Sequence, residues 1–373
     1  MAHVGQHEWA LPATGLDALI EVLGAAGHVV VGPAVRAGVI AYDTVASADD
    51  LARGWHDDQA PGRYRLTRRD RPALFDHVVG PQSLKRFLHP SERRLWRADR
   101  RDGGIALEAE RPPDTRYAFL GVRACDLASV AVLDRVLADD PHYRATRDGA
   151  FLVAVNCARA AATCFCTSMN TGPKATAGFD LALTELVDEA GHRFLLEVGS
   201  QRGRAIADAL DLEPAAAEDS AAARVVVEST AGAIDRKLDA EAARAALATR
   251  PDHPRWDDVA DRCLTCGNCT MVCPTCFCSD VADTSDLTGD HLERWQRWTS
   301  CFTLDFSYAG GGSVRTSAKS RYRQWLTHKL SSWHDQFGTS GCVGCGRCIS
   351  WCPVGIDITE EAAAIAAEEG ETP

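Results

Sequence analysis

The sequence predicts two parts with different architectures. Residues 1–250 are expected to form an α/β domain with helices covering an open sheet, and residues 251–373 a mostly α-helical, cysteine-rich domain. Buried-strand patterns alternate with helical patterns in the first part, which is typical of open α/β sheets. Two similar four-cysteine motifs lie in the second part. The segment Arg250–Pro254, with two prolines and no apolar anchor, favours a boundary between them.

Two continuous apolar runs, Tyr117–Val122 and Phe151–Val155, define the first part. Runs without polar alternation predict strands that are buried on both faces of a sheet. A third strand is predicted at Arg193–Val198, followed by a helix over residues 202–210. The short run Val225–Val227 predicts a further strand, with a surface helix after it.

The second part is predicted to be helical between its two motifs. Glu293–Trp298 and Ser320–Trp333 both read as helices, with tryptophan and leucine side chains available for packing. After Asp357 the chain is acidic and lacks basic residues, which predicts a solvated helix that frays toward its end. The acidic residues are Glu360, Glu361, Glu368, Glu369 and Glu371.

Two copies of the pattern C-x2-C-x2-C-x3-C-P occur at Cys263–Pro274 and Cys342–Pro353. This spacing binds 4Fe–4S clusters, with three cysteines on one cluster and the fourth on another. The second part is therefore predicted to be a helical two-cluster ferredoxin domain. The first set of ligands would be Cys263, Cys266, Cys269 and Cys352, and the second set Cys342, Cys345, Cys348 and Cys273.

Two other uses of these cysteines fit the sequence poorly. Zinc sites usually combine two C-x2-C pairs separated by a spacer, rather than two four-cysteine runs that each end in proline. Disulfides are disfavoured by the odd total of 15 cysteines and by the lack of a secretory signal.

Four cysteines of the first part predict an additional site. Cys125 and Cys157 each follow a predicted buried strand, and ligands of open α/β sheets bind at the carboxyl ends of the strands. The loop after Cys157 adds two more thiols. We expect a third 4Fe–4S cluster at this third set, and the alternative is that buried cysteines merely pack as small apolar side chains. The third set is Cys125, Cys157, Cys164 and Cys166.

Three remaining cysteines, Cys276, Cys278 and Cys301, leave two interpretations open. They could complete another metal site with one outside ligand, or they could line the cluster environment and tune its potential. Basic residues near the second motif could neutralise the clusters, dock a partner or form a solvated face. These are Arg315, Lys319, Arg321, Arg323, His328, Lys329 and Arg347.

Composition and absent motifs narrow the function. The net charge of −12 argues against a nucleic-acid binder. The apolar runs are too short to span a bilayer, and the first residues lack the basic and apolar regions of an export signal, so a cytoplasmic location is expected. No G-x-G-x-x-G or P-loop is present, which predicts that the chain alone catalyses only electron transfer.

Several short strings together resemble one known family. They are Gly80–Pro90, Arg123–Asp126, Cys164–Cys166, Cys273–Cys278, Arg321–Trp325, His328–Lys329 and Gly341–Cys348. The combination resembles the iron–sulfur beta subunit of cytoplasmic NiFe hydrogenases of the sulfhydrogenase type, and the closely similar A subunit of anaerobic sulfite reductase shares it. The resemblance covers nearly the whole chain.

The resemblance implies a relay function. Such a subunit carries electrons between an FAD- and NAD(P)-binding subunit and the small and large subunits of a NiFe hydrogenase. The alternative within the same pattern is the sulfite reductase subunit, with the same role beside a sirohaem partner. A third interpretation treats the first part as a flavin-binding oxidoreductase module, which would make this chain itself catalytic.

Overall fold

The computed structural model describes residues 8–101 and 103–367. Strands β1 to β14 are Glu8–Pro12, Val29–Arg36, Val39–Thr44, Trp55–Ala60, Arg63–Arg68, Glu92–Arg101, Gly104–Ala109, Tyr117–Val122, Phe151–Val155, Leu181–Asp188, Gly191–Val198, Glu213–Pro214, Ser279–Ser285 and His291–Trp298. Helices α1 to α13 are Gly15–Ala25, Lys85–Leu88, Ala124–Val136, Pro141–Gly149, Gln201–Ala207, Ala217–Gly232, Ala240–Thr249, Arg255–Arg262, Asn268–Met271, Ala318–Thr327, Trp333–Phe337, Arg347–Ser350 and Ile358–Ala366. A π-helical turn, His328–Ser332, joins α10 to α11, and short 3-10 turns lie at Ala48–Asp50, Cys166–Met169 and Asp305–Ser307.

An eight-stranded sheet forms the centre of the first part, in the order β12-β1-β11-β10-β9-β8-β2-β3. Strands β2, β8, β9 and β10 run parallel, and the remaining neighbours pair antiparallel. The predicted strands β8 and β9 are confirmed with the same bounds, and all five side chains of β9 are buried. Apolar side chains pack on both faces, with Leu16 and Leu19 of α1 in one core and Leu127 and Val130 of α3 in another. An α/β architecture is therefore confirmed for the first part.

A second sheet of four strands, in the order β13-β14-β6-β7, takes two strands from each side of residue 250. Ion pairs cross between its strands, such as Arg94 with Glu293 at 2.8 Å and Arg297 with Glu92 at 2.8 Å. The prediction of a helix at Glu293–Trp298 is wrong, because these residues belong to β14. One partner strand, β13, directly precedes β14, but the other, β6, is about two hundred residues away in sequence, where no local pattern reveals it.

Two other expectations are also corrected. Val225–Val227 is not a strand but lies inside α6, where the alanine-rich surroundings favour helix over the preference of three valines. The helix after Asp357 is not solvated: Ile358, Ala362 and Ile365 are buried in α13. The residues after Ala367, with Glu368, Glu369 and Glu371, lie outside the described residues, as do the first seven.

The acidic α13 is held by basic residues of another helix. Glu361 is fully buried and accepts hydrogen bonds from Arg255 at 2.7 Å and Arg262 at 2.5 Å, both on α8. Together α7, α8, α10 and α13 form a helical region around the second part's apolar core. Within the described residues, no helix is long and apolar enough to cross a membrane.

Candidate functional site

The first motif leaves α8 and folds into a tight loop. Thr265 and Gly267 both adopt the left-handed backbone region, with φ of 51° and 77°. This curl lets the backbone N–H of Thr265 donate to the Cys263 sulfur at 3.4 Å. Hydrogen bonds of this kind to cluster thiolates help to set the reduction potential of iron–sulfur clusters.

The second motif repeats this loop geometry. Gly344 and Gly346 occupy the positions equivalent to Thr265 and Gly267, with φ of 64° and 74°. The Gly344 N–H donates to the Cys342 sulfur at 3.5 Å. The two loops therefore present their cysteines in the same way, although the second contains glycine where the first contains threonine.

Close packing explains the additional glycine. A Cβ atom at Gly344 would lie 2.6 Å from the Phe165 carbonyl oxygen and 2.7 Å from the Cys166 Cα atom, and one at Gly346 would lie 2.3 Å from the Thr163 oxygen. The Phe165 N–H in turn donates to the Gly344 carbonyl at 2.9 Å. The loop that carries Cys164 and Cys166 thus lies directly against the second motif.

We expect Gly344→Ala to destabilise the protein by about 1–3 kcal/mol more than a glycine substitution of equal backbone strain, because the added methyl overpacks two backbone segments. Gly338→Ala is the matched control: Gly338 has φ of 68°, and a Cβ there would meet only a flexible Arg135 side chain at 3.7 Å. Anaerobic thermal unfolding measures both variants. Equal melting temperatures would show that the loop contact carries no packing cost.

The first set of cysteines lines a single pocket. Apart from the thiols its wall is mainly apolar. Thiols around an apolar pocket fit a 4Fe–4S cluster in donor type. The wall includes Cys263, Cys266, Cys269, Cys352, Cys348, Phe302, Tyr322, Trp325, Ile356 and Ile358.

In the part of the chain that the structure describes, no group of three or more His, Cys, Asp or Glu is arranged as a site for a metal ion. A 4Fe–4S cluster makes a different demand, because four cysteines hold a cluster of several irons rather than converging on one ion.

The second set is brought together as well. Burial raises the pKa of Cys348 well above its ordinary value, and the neighbouring thiols Cys342, Cys345 and Cys273 raise it further. Burial also raises the pKa of Cys342 to about 12. Cys342, Cys345 and Cys348, whose pKa values are raised, need bound cations to become thiolates together, and iron would supply that charge. Cys269 of the first set also acts on Cys348, so the two sets are neighbours.

Lys329 provides a positive charge at the second set. Its side chain is 3% exposed, and its ammonium donates to the Cys273 sulfur at 3.3 Å, the Thr275 hydroxyl at 3.2 Å and the Gly341 carbonyl at 3.0 Å. Burial by itself would lower the pKa of Lys329, but the surrounding thiols, led by Cys273, raise it well above its ordinary value. The sequence identified this lysine as basic without indicating that it is buried.

A second buried lysine went unnoticed in the sequence. The Lys85 ammonium donates to the Cys276 carbonyl at 2.9 Å and lies 3.8 Å from the centre of the Trp298 ring. Burial lowers its pKa, while Cys276 and Cys273 act in the opposite direction. Its position in the string Gly80–Pro90 was the available signal. Cys276 also donates a hydrogen bond to Cys273, which lowers the pKa of Cys273.

Three cysteines of the third set, Cys125, Cys164 and Cys166, lie in one buried cluster, and Cys345 packs against it. Cys125 lies in the first turn of α3 after β8, and Cys157 follows β9. Burial raises the pKa of Cys166 to about 12, and the neighbouring thiols Cys157 and Cys345 raise it further. Burial likewise raises the pKa of Cys164 and of Cys125, and Cys345 contributes to both. The third set therefore lies beside Cys345 of the second set.

Arg347 ties the second motif to the first part of the chain. Its guanidinium makes two hydrogen bonds to the Asp126 carboxylate, at 2.8 and 3.1 Å, and both side chains are 1% exposed. It also donates to the carbonyl oxygens of Gly80 at 2.8 Å and Gln82 at 3.1 Å. Asp126 was seen in the sequence only as the neighbour of Cys125, and its pairing with Arg347 was not predicted.

Comparison with known proteins bears on these sites. Residues 262–356 match the 4Fe-4S dicluster domain, which confirms the prediction of two 4Fe–4S clusters in this segment. No solved structure matches the chain significantly. The chain is similar to the sulfhydrogenase 2 subunit beta of Pyrococcus furiosus, with 34% identity over 250 residues, which cover 65% of this chain and 72% of the relative. The chain therefore belongs to the family of iron–sulfur beta subunits of sulfhydrogenases.

Proposed function

We propose that this chain is the electron-transfer subunit of a multisubunit, NAD(P)-linked NiFe hydrogenase. It relays electrons between an FAD- and NAD(P)-binding subunit and the small and large hydrogenase subunits. We place the complex in the cytoplasm, where thiols stay reduced. The observation that carries the proposal is the succession of three cysteine sets, each beside the next, in a chain of the sulfhydrogenase beta family.

Packing of the cysteines supports a linear order for the relay. Cys348 of the second set lines the pocket of the first set, and Cys345 of the second set packs against buried Cys125, Cys164 and Cys166 of the third. Each bound cluster would accept and release one electron. We assign the first cluster to Cys263, Cys266, Cys269 and Cys352, the second to Cys342, Cys345, Cys348 and Cys273, and the third to Cys125, Cys157, Cys164 and Cys166.

The protein's own groups prepare these sites. Backbone N–H groups and the Lys329 ammonium donate to sulfurs of the first and second sets, which favours their ionised form. The mainly apolar wall around the first set lowers the polarity of the cluster's surroundings. Since such hydrogen bonds and burial tune cluster potentials, the chain would set the order of potentials along the relay.

Iron content tests the third cluster. The anaerobically purified chain is expected to hold about twelve irons, four for each cluster, and Cys157→Ser is expected to lower this to about eight. Anaerobic iron and sulfide analysis, with EPR spectra of the reduced protein, measures the change. Cys301→Ser is the control, because we assign Cys301 to no cluster. A wild-type content of about eight, unchanged by Cys157→Ser, would remove the third cluster and leave the other two.

Purification with native partners tests the complex. Nickel together with flavin in the copurifying subunits is the expected result, whereas a sirohaem subunit would assign the chain to the related anaerobic sulfite reductases. Flavin bound to this chain alone would make it an oxidoreductase module and would contradict the relay role proposed above.

A further inference from the structure

The segment that forms β5 and the residues after it is strongly basic. Five arginines occur within nine residues, in a chain with a net charge of −12. All five are exposed. We call this segment, with β4 before it, the basic hairpin. Its arginines are Arg63, Arg65, Arg68, Arg69 and Arg71.

Most of this positive charge is not neutralised within the described residues. Arg63 forms an exposed ion pair with Asp58 at 3.0 Å, and the Arg68 guanidinium lies 5.9 Å from the centre of the Trp55 ring. No ion pair to Arg65, Arg69 or Arg71 is found among residues 8–101 and 103–367. Asp70, in the same segment, is exposed. The basic hairpin thus presents free guanidinium groups to its surroundings.

The turn of the basic hairpin is fixed beside the first set of cysteines, whereas Arg69 and Arg71 follow its far end, where Arg68 pairs with Trp55. The Gly62 N–H donates to the Ile349 carbonyl at 3.1 Å, and a Cβ at Gly62 would lie 3.0 Å from the Cys352 carbonyl oxygen. The Tyr64 ring stacks on Trp351, with 5.1 Å between ring centroids. The turn of the hairpin therefore contacts the segment that includes Cys352, a proposed ligand of the first cluster.

The first set also forms the exposed end of the relay. Cys266 is exposed, whereas the thiols of the second and third sets are buried or half-buried. Around the pocket, Leu264 is 61% exposed and Val354 is 42% exposed. An apolar patch with a charged flank is suited to a transient electron-transfer contact, in which a small interface is oriented by complementary charge.

We propose that the basic hairpin docks an acidic surface of the redox subunit that exchanges electrons with the first cluster. This inference rests on the proposed function. Arginine binds carboxylates through two parallel hydrogen bonds, so an acidic protein face is a suitable partner. A nucleic acid is a less suitable partner, because outside the nine-residue segment the chain is negatively charged and would repel the phosphate backbone.

Small charged oxidants test the field at the first cluster. The variant Arg65→Glu/Arg69→Glu/Arg71→Glu reverses the three unpaired arginines. The control variant Arg111→Glu/Arg144→Glu/Arg224→Glu reverses three exposed arginines outside the hairpin that also lack an ion pair in the described part of the chain. Both variants change the net charge equally, so only the location of the charge differs between them.

Stopped-flow spectroscopy follows the dithionite-reduced holoprotein as it loses one electron to ferricyanide, which becomes ferrocyanide, or to hexaammineruthenium(III), which becomes ruthenium(II). At low ionic strength the hairpin variant is expected to react about tenfold or more slowly with the anionic ferricyanide and faster with the cationic ruthenium complex. The difference from the control should disappear in about 1 M salt, where the Debye length falls to about 3 Å.

The native complex provides the second measurement. We expect the hairpin variant to lose its redox partner at lower salt than the wild type or the control variant during gel filtration. Identical oxidation rates and identical salt stability of the hairpin and control variants would overturn the docking proposal. So would duplex DNA binding that the hairpin variant loses while its partner stays bound. Missing iron or missing EPR signals in the wild type would instead refute the relay, so the two failures are distinguishable.

Discussion

Arg347→Met is expected to lower the free energy of unfolding by about 3–5 kcal/mol, the usual cost of leaving a buried charge without its partner. The Asp126 carboxylate, 1% exposed, would lose two hydrogen bonds, and the carbonyl oxygens of Gly80 and Gln82 would lose a donor. Because Arg347 belongs to the second motif and Asp126 to α3, the contact between the two parts of the chain should loosen first.

Anaerobic chemical denaturation measures this loss, with iron content followed in parallel. Arg297→Met is the control, since its ion pair with Glu92 is about half exposed and worth at most about 1 kcal/mol. The double variant Arg347→Met/Asp126→Leu should recover part of the stability, because it removes the unpaired charge. If Arg347→Met cost no more than Arg297→Met, the buried pair would not hold the two parts together.

Lys329→Met is expected to lower the midpoint potential of the second cluster by about 65–130 mV. A hydrogen bond to a charged group contributes about 1.5–3 kcal/mol, and a tenfold change in a one-electron equilibrium is about 59 mV. The ammonium lies 3.3 Å from the Cys273 sulfur and stabilises the more negative, reduced state. Without it the reduced cluster becomes harder to form.

A redox titration monitored by EPR measures this shift. Lys319→Met is the matched control, because the Lys319 ammonium pairs with the exposed Asp257 rather than with a thiol. Lys329→Arg keeps the charge and should retain most of the potential, which separates the electrostatic effect from loss of the cluster. Equal second-cluster potentials in the Lys329→Met and Lys319→Met proteins would show that the buried lysine does not tune the relay.

Local sequence patterns correctly predicted the strands and cluster motifs that are determined by residues close together in the chain. The apolar runs Tyr117–Val122 and Phe151–Val155 form central strands, because side chains that are apolar on both faces of a strand are stable only when both faces are buried. The spacing of the cysteine motifs identified the two-cluster domain, because three ligands of one cluster must come from one short loop. The prediction of a third cluster rests on the position of two cysteines after parallel strands.

The errors arose where a distant segment decides the outcome. Glu293–Trp298 is a strand that pairs on one edge with the distant Glu92–Arg101 and on the other with the nearby Ser279–Ser285. The acidic α13 is buried because arginines of α8 neutralise Glu361, about a hundred residues away in sequence. Neither the pairing with Glu92–Arg101 nor the contacts with the arginines of α8 can be predicted from the local sequence of the segment concerned.

The two cluster-binding motifs of this protein can thus be recognised from spacing alone, since the chemistry of cluster binding constrains residues close together in the chain. The pairing of charged residues around these motifs depends on tertiary structure. Arg347 pairs with Asp126, which is 221 residues away in sequence, and Lys329 donates to Cys273, which is 56 residues away. Burial and long-range contacts arise only when the chain is folded. They determine which lysine or arginine is a solvated surface group and which neutralises the negative charge of a cluster and its thiolates.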